Sequence, residues 1–209
     1  MNEVDVTLTD YALALECAIF VFVLLRREAS RLRNRFIFFF TMVSIASLAG
    51  GMAHGFFDAQ DSLVHEVIWS ITMLAFGLAM PFVWGIGAAL IFSPQLARWI
   101  SSLAWLETVV YSVAVLFISS KFEMAVVHQL PALLFLLGSS LVVFRRQRSP
   151  GSIWLVMGLS IMLAGSAAQQ MRVSLHPVLF THNAVYHVIE MIGLFGVFRA
   201  TKDLKARGS

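Results

Sequence analysis

Three histidines and two acids lie near the ends of apolar segments: His54, Asp58, His182, His187 and Glu190. An ionisable side chain within a membrane helix costs a few kcal/mol, which makes it a candidate functional residue by default. His54 and Asp58 are four residues apart and would share one helix face. Imidazoles beside a carboxylate commonly bind zinc, which activates a bound water. The pattern predicts His54, His182 and His187 as zinc ligands, with Asp58 or Glu190 accepting a proton or orienting a ligand.

The spacing within the last apolar segment divides its polar residues into two groups. Asn183, His187 and Glu190 follow one another at i, i+4 and i+7, so they form one stripe on a helix. His182 is five residues before His187, about 140° around a regular helix. His182 therefore joins the same ligand set only if the helix begins after it or is locally distorted.

The composition is that of a membrane protein. Of 209 residues, 59% are hydrophobic and 13% are charged, with a mean hydropathy of +0.82. Soluble domains average about 25% charged residues. The net charge of +3 comes from basic residues between apolar segments, where they act as topology signals and not as a nucleic-acid surface. The single cysteine, Cys17, excludes an intrachain disulfide and any site with several cysteine ligands.

The apolar segments predict an all-α membrane protein, a single seven-helix transmembrane domain over residues 1–209. The helices are expected at about 8–25, 36–57, 67–92, 100–118, 122–144, 152–171 and 182–198. Loops 26–35 and 145–148 and the C-terminal tail are basic, which predicts an outer N-terminus and a cytoplasmic C-terminus. The segment Thr7–Asp10 has the spacing of a capping box at the start of the first helix.

Other polar residues are expected at similar depths. The three histidines share a layer near the outer surface, Glu16 and Glu190 lie somewhat deeper, and Gln169 and Gln170 end the sixth helix on the same side. Gly50, Gly51 and Gly55 would let a neighbouring helix or lipid head group approach His54 closely. His128 is a possible fourth ligand, and Glu107 is expected to have a structural role. Pro81 is expected to kink the third helix.

The four positions His54, Asp58, His182 and His187 give the sequence a resemblance to a superfamily of seven-helix membrane hydrolases, which includes alkaline ceramidases and adiponectin-receptor-like proteins. Those proteins have a histidine on the second helix, an aspartate nearby and a histidine pair opening the seventh helix. The resemblance implies that the histidines bind zinc and that the bound water attacks a lipid amide.

Two classes of function follow. The first is a zinc-dependent hydrolase of a lipid amide or ester, whose substrate enters from the outer leaflet. The second is a non-enzymatic sensor or transporter that binds a metal ion, proton or small ligand in an outer cavity. In the second class Glu16 and Glu190 would matter more than the histidines. The seventh helix has no lysine at its centre, which excludes a retinal Schiff base. The acidic, disulfide-free outer loops and short tails favour a bacterial inner membrane, with an organelle membrane as the alternative.

Overall fold

The computed structural model describes residues 3–57, 62–177 and 179–206. Within these described residues the chain folds into seven helices, which confirms the predicted helix number and the all-α class. They are α1 (Val4–Leu25), α2 (Arg31–Phe56), α3 (Leu63–Ile91), α4 (Pro94–Phe117), α5 (Phe122–Gln147), α6 (Pro150–Gln170) and α7 (His182–Ala200).

Helices α1 to α6 are each long and apolar enough to cross a membrane. Their composition agrees with the prediction of an integral membrane protein. Helix α7 has 19 residues, and its first half carries His182, Asn183, His187 and Glu190. Because of these polar residues, α7 is not among the six apolar helices found in the described part of the chain.

Three helices begin one to two turns before the starts that the apolar pattern predicts. The predicted starts near residues 36, 67 and 100 are wrong, since α2, α3 and α4 begin at residues 31, 63 and 94. The serine before each helix accepts a hydrogen bond from the backbone N–H three residues later: Ser30 from Arg33, Ser62 from His65 and Ser93 from Leu96. These caps satisfy N–H groups that have no helical partner, so the helices extend beyond their apolar parts.

The first helix also begins earlier than predicted. It starts at Val4, so the segment Thr7–Asp10 lies inside α1 and is not its capping box. The Thr7 hydroxyl donates to the carbonyl of Glu3, one turn back, at 2.9 Å. Asp10 is consequently placed about 1.7 turns into the helix, where it is buried.

Six helices form a closed ring. Helix α1 packs against α2, α2 against α3, α3 against α5, α5 against α6, α6 against α7, and α7 against α1. Helix α4 lies outside this ring and packs mainly against α3. The ring encloses the interior of the protein, whereas much of the α4 surface is apolar and exposed.

Helices α1 and α7 run parallel. At one end, Asp5 of α1 accepts hydrogen bonds from the backbone N–H and the hydroxyl of Thr181, the residue that caps α7, both at 2.7 Å. At the other end, Arg27 just after α1 donates to the hydroxyl of Thr201 just after α7, at 2.8 Å. The start of the first helix is therefore fixed beside the start of the last.

The interior near this second end is filled by aromatic rings. Phe20 of α1 stacks on Phe198 of α7 at 4.2 Å between ring centroids and contacts the edge of Phe40 of α2 at 5.2 Å. Phe20 and Phe40 are buried. We call these three residues the aromatic plug, because they close the ring at the end opposite His54 and His187.

Candidate ligand cavity

The ring encloses a cavity of about 200 Å³. All six ring helices line it, and α4 contributes no residue. Most of the lining is aliphatic or aromatic. Polar and ionisable side chains also line it: Asp10, Ser47, His54, Thr72, Gln129, Gln169, Asn183, Tyr186, His187 and Glu190. Such a mostly apolar cavity with a few convergent polar groups is the usual form of a small-molecule site.

His187 is held by two residues of α1. Its Nδ1 lies 3.0 Å from the Thr9 hydroxyl, and its Nε2 lies 3.5 Å from Oδ1 of Asp10. The Thr9 hydroxyl lies 2.9 Å from the Asp5 carbonyl and donates to it, so it accepts from an N–H at Nδ1 of His187. The imidazole is thereby oriented with Nε2 beside the Asp10 carboxyl.

His54 lies on the same cavity and is oriented by an acid. Its Nδ1 lies 2.8 Å from Oε2 of Glu3, and its ring meets the Trp69 ring edge-on at 5.9 Å. A Cβ at Gly50, one turn before His54, would lie 3.3 Å from Oδ2 of Asp10. Glycine at position 50 therefore leaves room for the Asp10 carboxyl between α1 and α2.

The neighbouring glycines bring α1 against α2. A Cβ at Gly51 would lie 2.8 Å from the Tyr11 ring, and one at Gly55 would lie 2.7 Å from the Thr7 side chain. The prediction that the glycines around His54 allow a close helix approach is therefore confirmed. This approach places Asp10 and His54 on the same cavity.

Glu190 is the deepest acid of the stripe on α7. Its side chain is buried and lines the cavity, and Tyr186 hydrogen-bonds its carboxyl group. Its Oε2 atom is buried and has no hydrogen-bond partner among the described residues. A buried polar atom without a partner carries a desolvation cost of about 1–3 kcal/mol. A hydrogen-bond donor or a positive charge brought beside this carboxyl group would offset that cost.

The charges around the cavity are one-sided. Asp10 and Glu190 line it, Glu3 contacts His54 beside it, and the lining residues within the described part of the chain include no lysine or arginine. The Gln169 amide donates to the side chain of Asn183 at 3.2 Å, which places both amides at the polar end. The acids and amides at the polar end can bind a positive or hydrogen-bond-donating group, and the apolar side chains that line the rest of the cavity can contact the remainder of such a ligand.

Residues 6–206 match a family of unknown function, DUF6962. The chain belongs to this family. The matched part of this DUF6962 protein covers nearly all of α1 and the whole of α2 to α7, and so contains every residue that lines the cavity. No curated protein matches the chain.

The structure brings together some of the residues predicted for the site. His54, His187 and Glu190 line one cavity in this DUF6962 protein. His182 is the first residue of α7 and does not line the cavity, because the helix includes it and turns its side chain away from that of His187. Asp58 lies outside the described residues.

The predicted zinc site is not assembled. Among residues 3–57, 62–177 and 179–206, no three His, Cys, Asp or Glu side chains form a group that could hold a metal ion. The predicted set of His54, His182 and His187 therefore does not form a three-ligand centre within these residues, and the zinc role remains a prediction. His128, considered as a fourth ligand, also lies off the cavity, where it pairs with Glu107.

Asp10 and Glu3 are the site residues that the sequence analysis missed. The capping interpretation of Thr7–Asp10 assigned Asp10 to a helix end, whereas the structure buries it beside His187. A usable signal was present, since Val6, Asp10, Leu13 and Cys17 recur at the spacing of one helix face, and all four are buried. An acid on an otherwise apolar face predicts an inward position.

Proposed function

We propose that the protein is a non-enzymatic membrane receptor that binds a small organic cation in the ring cavity. The observation that carries this proposal is that two acids, Asp10 and Glu190, line a mostly apolar cavity whose described lining residues include no lysine or arginine. An ammonium group near Asp10 and Glu190 would supply the missing positive charge.

The apolar lining suits the rest of such a ligand. Phe39, Trp69, Phe76 and Phe122 present aromatic rings to the cavity. An aromatic face attracts a cation by about 0.5–2 kcal/mol, depending on how far the cation is desolvated. A substituted ammonium ion with an apolar body thus matches both the charge and the surface of the cavity.

The aromatic plug supports a receptor over a channel. Phe20, Phe40 and Phe198 fill the ring at the end opposite the polar groups. A ligand bound near His54 would meet these rings before the other membrane face. Aromatic packing at that end favours a binding site over a continuous path across the membrane.

The proposal is tested by binding to the purified protein in nanodiscs. We expect benzyltrimethylammonium to bind saturably, to change the fluorescence of Trp69 and to raise the thermal unfolding midpoint. Neopentylbenzene, its uncharged carbon analogue, and phenylacetate should produce none of these three effects. A Trp69→Phe variant identifies the fluorescence signal. The proposal is rejected if the cation and its neutral analogue give equal responses. It is also rejected if the protein responds to none of methylammonium, benzylamine and benzyltrimethylammonium.

We further propose that α7 crosses the membrane and that the polar end of the ring is extracytoplasmic. Its 19 residues extend about 28 Å, close to the thickness of the bilayer core, and it runs parallel to α1. An impermeant maleimide should label Val173→Cys in intact bacterial cells and Lys205→Cys only after permeabilisation. The native Cys17 is buried and provides the unlabelled background. Labelling of both variants in intact cells would contradict the seventh crossing.

A zinc-dependent hydrolase of a lipid amide or ester is the second candidate. It is supported by the orientation of the two cavity histidines, since Glu3 holds Nδ1 of His54 and Thr9 holds Nδ1 of His187. Partners at one ring nitrogen commonly orient histidines that bind metals through the other. Elemental analysis of the purified protein should then find stoichiometric zinc that is lost in His54→Ala and His187→Ala. Metal-free protein that retains its cellular function would exclude this candidate.

A further inference from the structure

A second polar cluster lies outside the ring cavity, where α3, α4 and α5 meet. Pro81 lies inside α3 and has no N–H to donate to the carbonyl of Gly77, one turn back. The helix nevertheless continues through Pro81 to Ile91, and Nε2 of His128 from α5 lies 3.2 Å from that carbonyl. Since a carbonyl only accepts, the His128 ring donates from Nε2.

This hydrogen bond determines what the other ring nitrogen can do. Nδ1 of His128 lies 2.5 Å from Oε1 of Glu107. Two such atoms approach this closely only with a proton between them, carried by either the imidazole or the carboxyl group. Oε1 of Glu107 is therefore hydrogen-bonded to His128, and the second carboxyl oxygen remains as a hydrogen-bond acceptor.

The pair is held rigidly. The Tyr111 ring stacks on His128 at 4.1 Å, and its hydroxyl donates to the Met73 carbonyl at 3.1 Å. A Cβ at Gly77 would lie within 2.2 Å of the Tyr111 ring, so only glycine admits this stacking. His128 is almost fully buried, whereas the Glu107 side chain is 48% exposed.

The exposed part of Glu107 borders a crevice between α3 and α4. The crevice has a volume of about 270 Å³ and is lined by Trp84, Ile100, Leu103, Ala104 and Glu107. It shares no residue with the ring cavity. Because α4 packs outside the ring and Leu103 is exposed, the crevice lies at the outer surface of the helix bundle, the surface that faces hydrocarbon when the bundle spans a membrane.

The depth of Glu107 restricts what can reach it. The residue is ten positions before the end of α4, which is about 15 Å and close to the middle of a bilayer core. The head groups of ordinary lipids stay at the interface. An occupant must therefore carry its own polar group into the hydrocarbon.

We propose that this crevice binds a lipid-soluble phenol or quinol. The aromatic hydroxyl donates to the carboxyl oxygen of Glu107 that His128 leaves available, and the ring lies beside Trp84. The alkyl tail stays in the surrounding lipid. A concave crevice of this volume suits an aromatic head group better than the convex surface of another protein's helix.

The test uses a matched pair of probes, 4-decyl-2-bromophenol and its O-methyl ether, in phosphatidylcholine nanodiscs. Bromine quenches tryptophan fluorescence on contact, so the phenol should quench Trp84 saturably and the ether, which has no donor, should not. The Trp84→Phe variant identifies the signal. Glu107→Leu should weaken phenol binding at least about tenfold, as expected for a lost charge-assisted hydrogen bond.

Two further variants keep the test valid if Glu107→Leu fails to fold. Leu103→Phe narrows the crevice without altering the Glu107–His128 pair and should also weaken binding. Val109→Phe also adds a phenyl ring, but on the exposed α4 surface away from the crevice. It should leave phenol binding unchanged. Equal quenching by phenol and ether, or equal losses in Leu103→Phe and Val109→Phe, would overturn the proposal. If a partner helix occupies the crevice, neither probe will quench Trp84, and that result would overturn the proposal as well.

Discussion

Replacing Glu190 with glutamine is expected to lower the affinity for benzyltrimethylammonium by about 30-fold or more. The substitution keeps the size of the side chain and its contact with Tyr186 but removes the carboxyl group that can carry a negative charge beside a bound cation. Truncating one partner of a desolvated charge pair costs about 2–5 kcal/mol, and the lower figure corresponds to about 30-fold in Kd. Titration of the protein in nanodiscs, followed through Trp69 fluorescence, measures the change.

Glu16 provides a matched control. Its Oε2 is also buried without a hydrogen-bond partner among the described residues, but Glu16 does not line the cavity. Glu16→Gln should therefore leave the affinity unchanged while testing for any general effect of removing a buried acid. If both variants lose binding equally, the effect is not local to the cavity. If neither does, Glu190 is not the residue that receives the cation.

The number of helices and their membrane character were predictable because both depend on local composition. Apolar runs separated by short polar or basic segments identify the six apolar helices directly. The starts of α2, α3 and α4 were not predictable from the same pattern, because Ser30, Ser62 and Ser93 begin helices in polar sequence. Hydropathy locates the part of a helix within the membrane, whereas capping decides where the helix begins.

The candidate site was predictable in part. The stripe of Asn183, His187 and Glu190 lines the cavity as its helical spacing indicates. His182 lies off the cavity because α7 is regular from its first residue, which was one of two alternatives left open by the spacing. Which acid would meet His187 depended on the packing of α1 against α2 and α7. That packing relies on glycine contacts between distant parts of the chain, which periodicity does not report.

The contact between α6 and α7 depends on three glycines. A Cβ at Gly158 would lie 2.5 Å from the Gly193 carbonyl oxygen, and one at Gly196 would lie 2.8 Å from the Cα of Gly158. The obstacles are backbone atoms, which cannot move aside as a side-chain tip can. Small residues allow membrane helices to approach closely enough for dispersion and weak hydrogen bonds to hold them.

Gly158→Ala is therefore expected to destabilise the folded protein by about 1–3 kcal/mol, the usual cost of overpacking. The measurement is the thermal unfolding midpoint in detergent. Gly138→Ala is the matched control, since a Cβ there meets nothing within 4 Å and alanine favours the helix by about 0.5–1 kcal/mol. The two substitutions should thus shift the midpoint in opposite directions. A neutral Gly158→Ala would mean that α6 and α7 can separate without cost, and His187 and Glu190 would then lack a fixed position at the cavity.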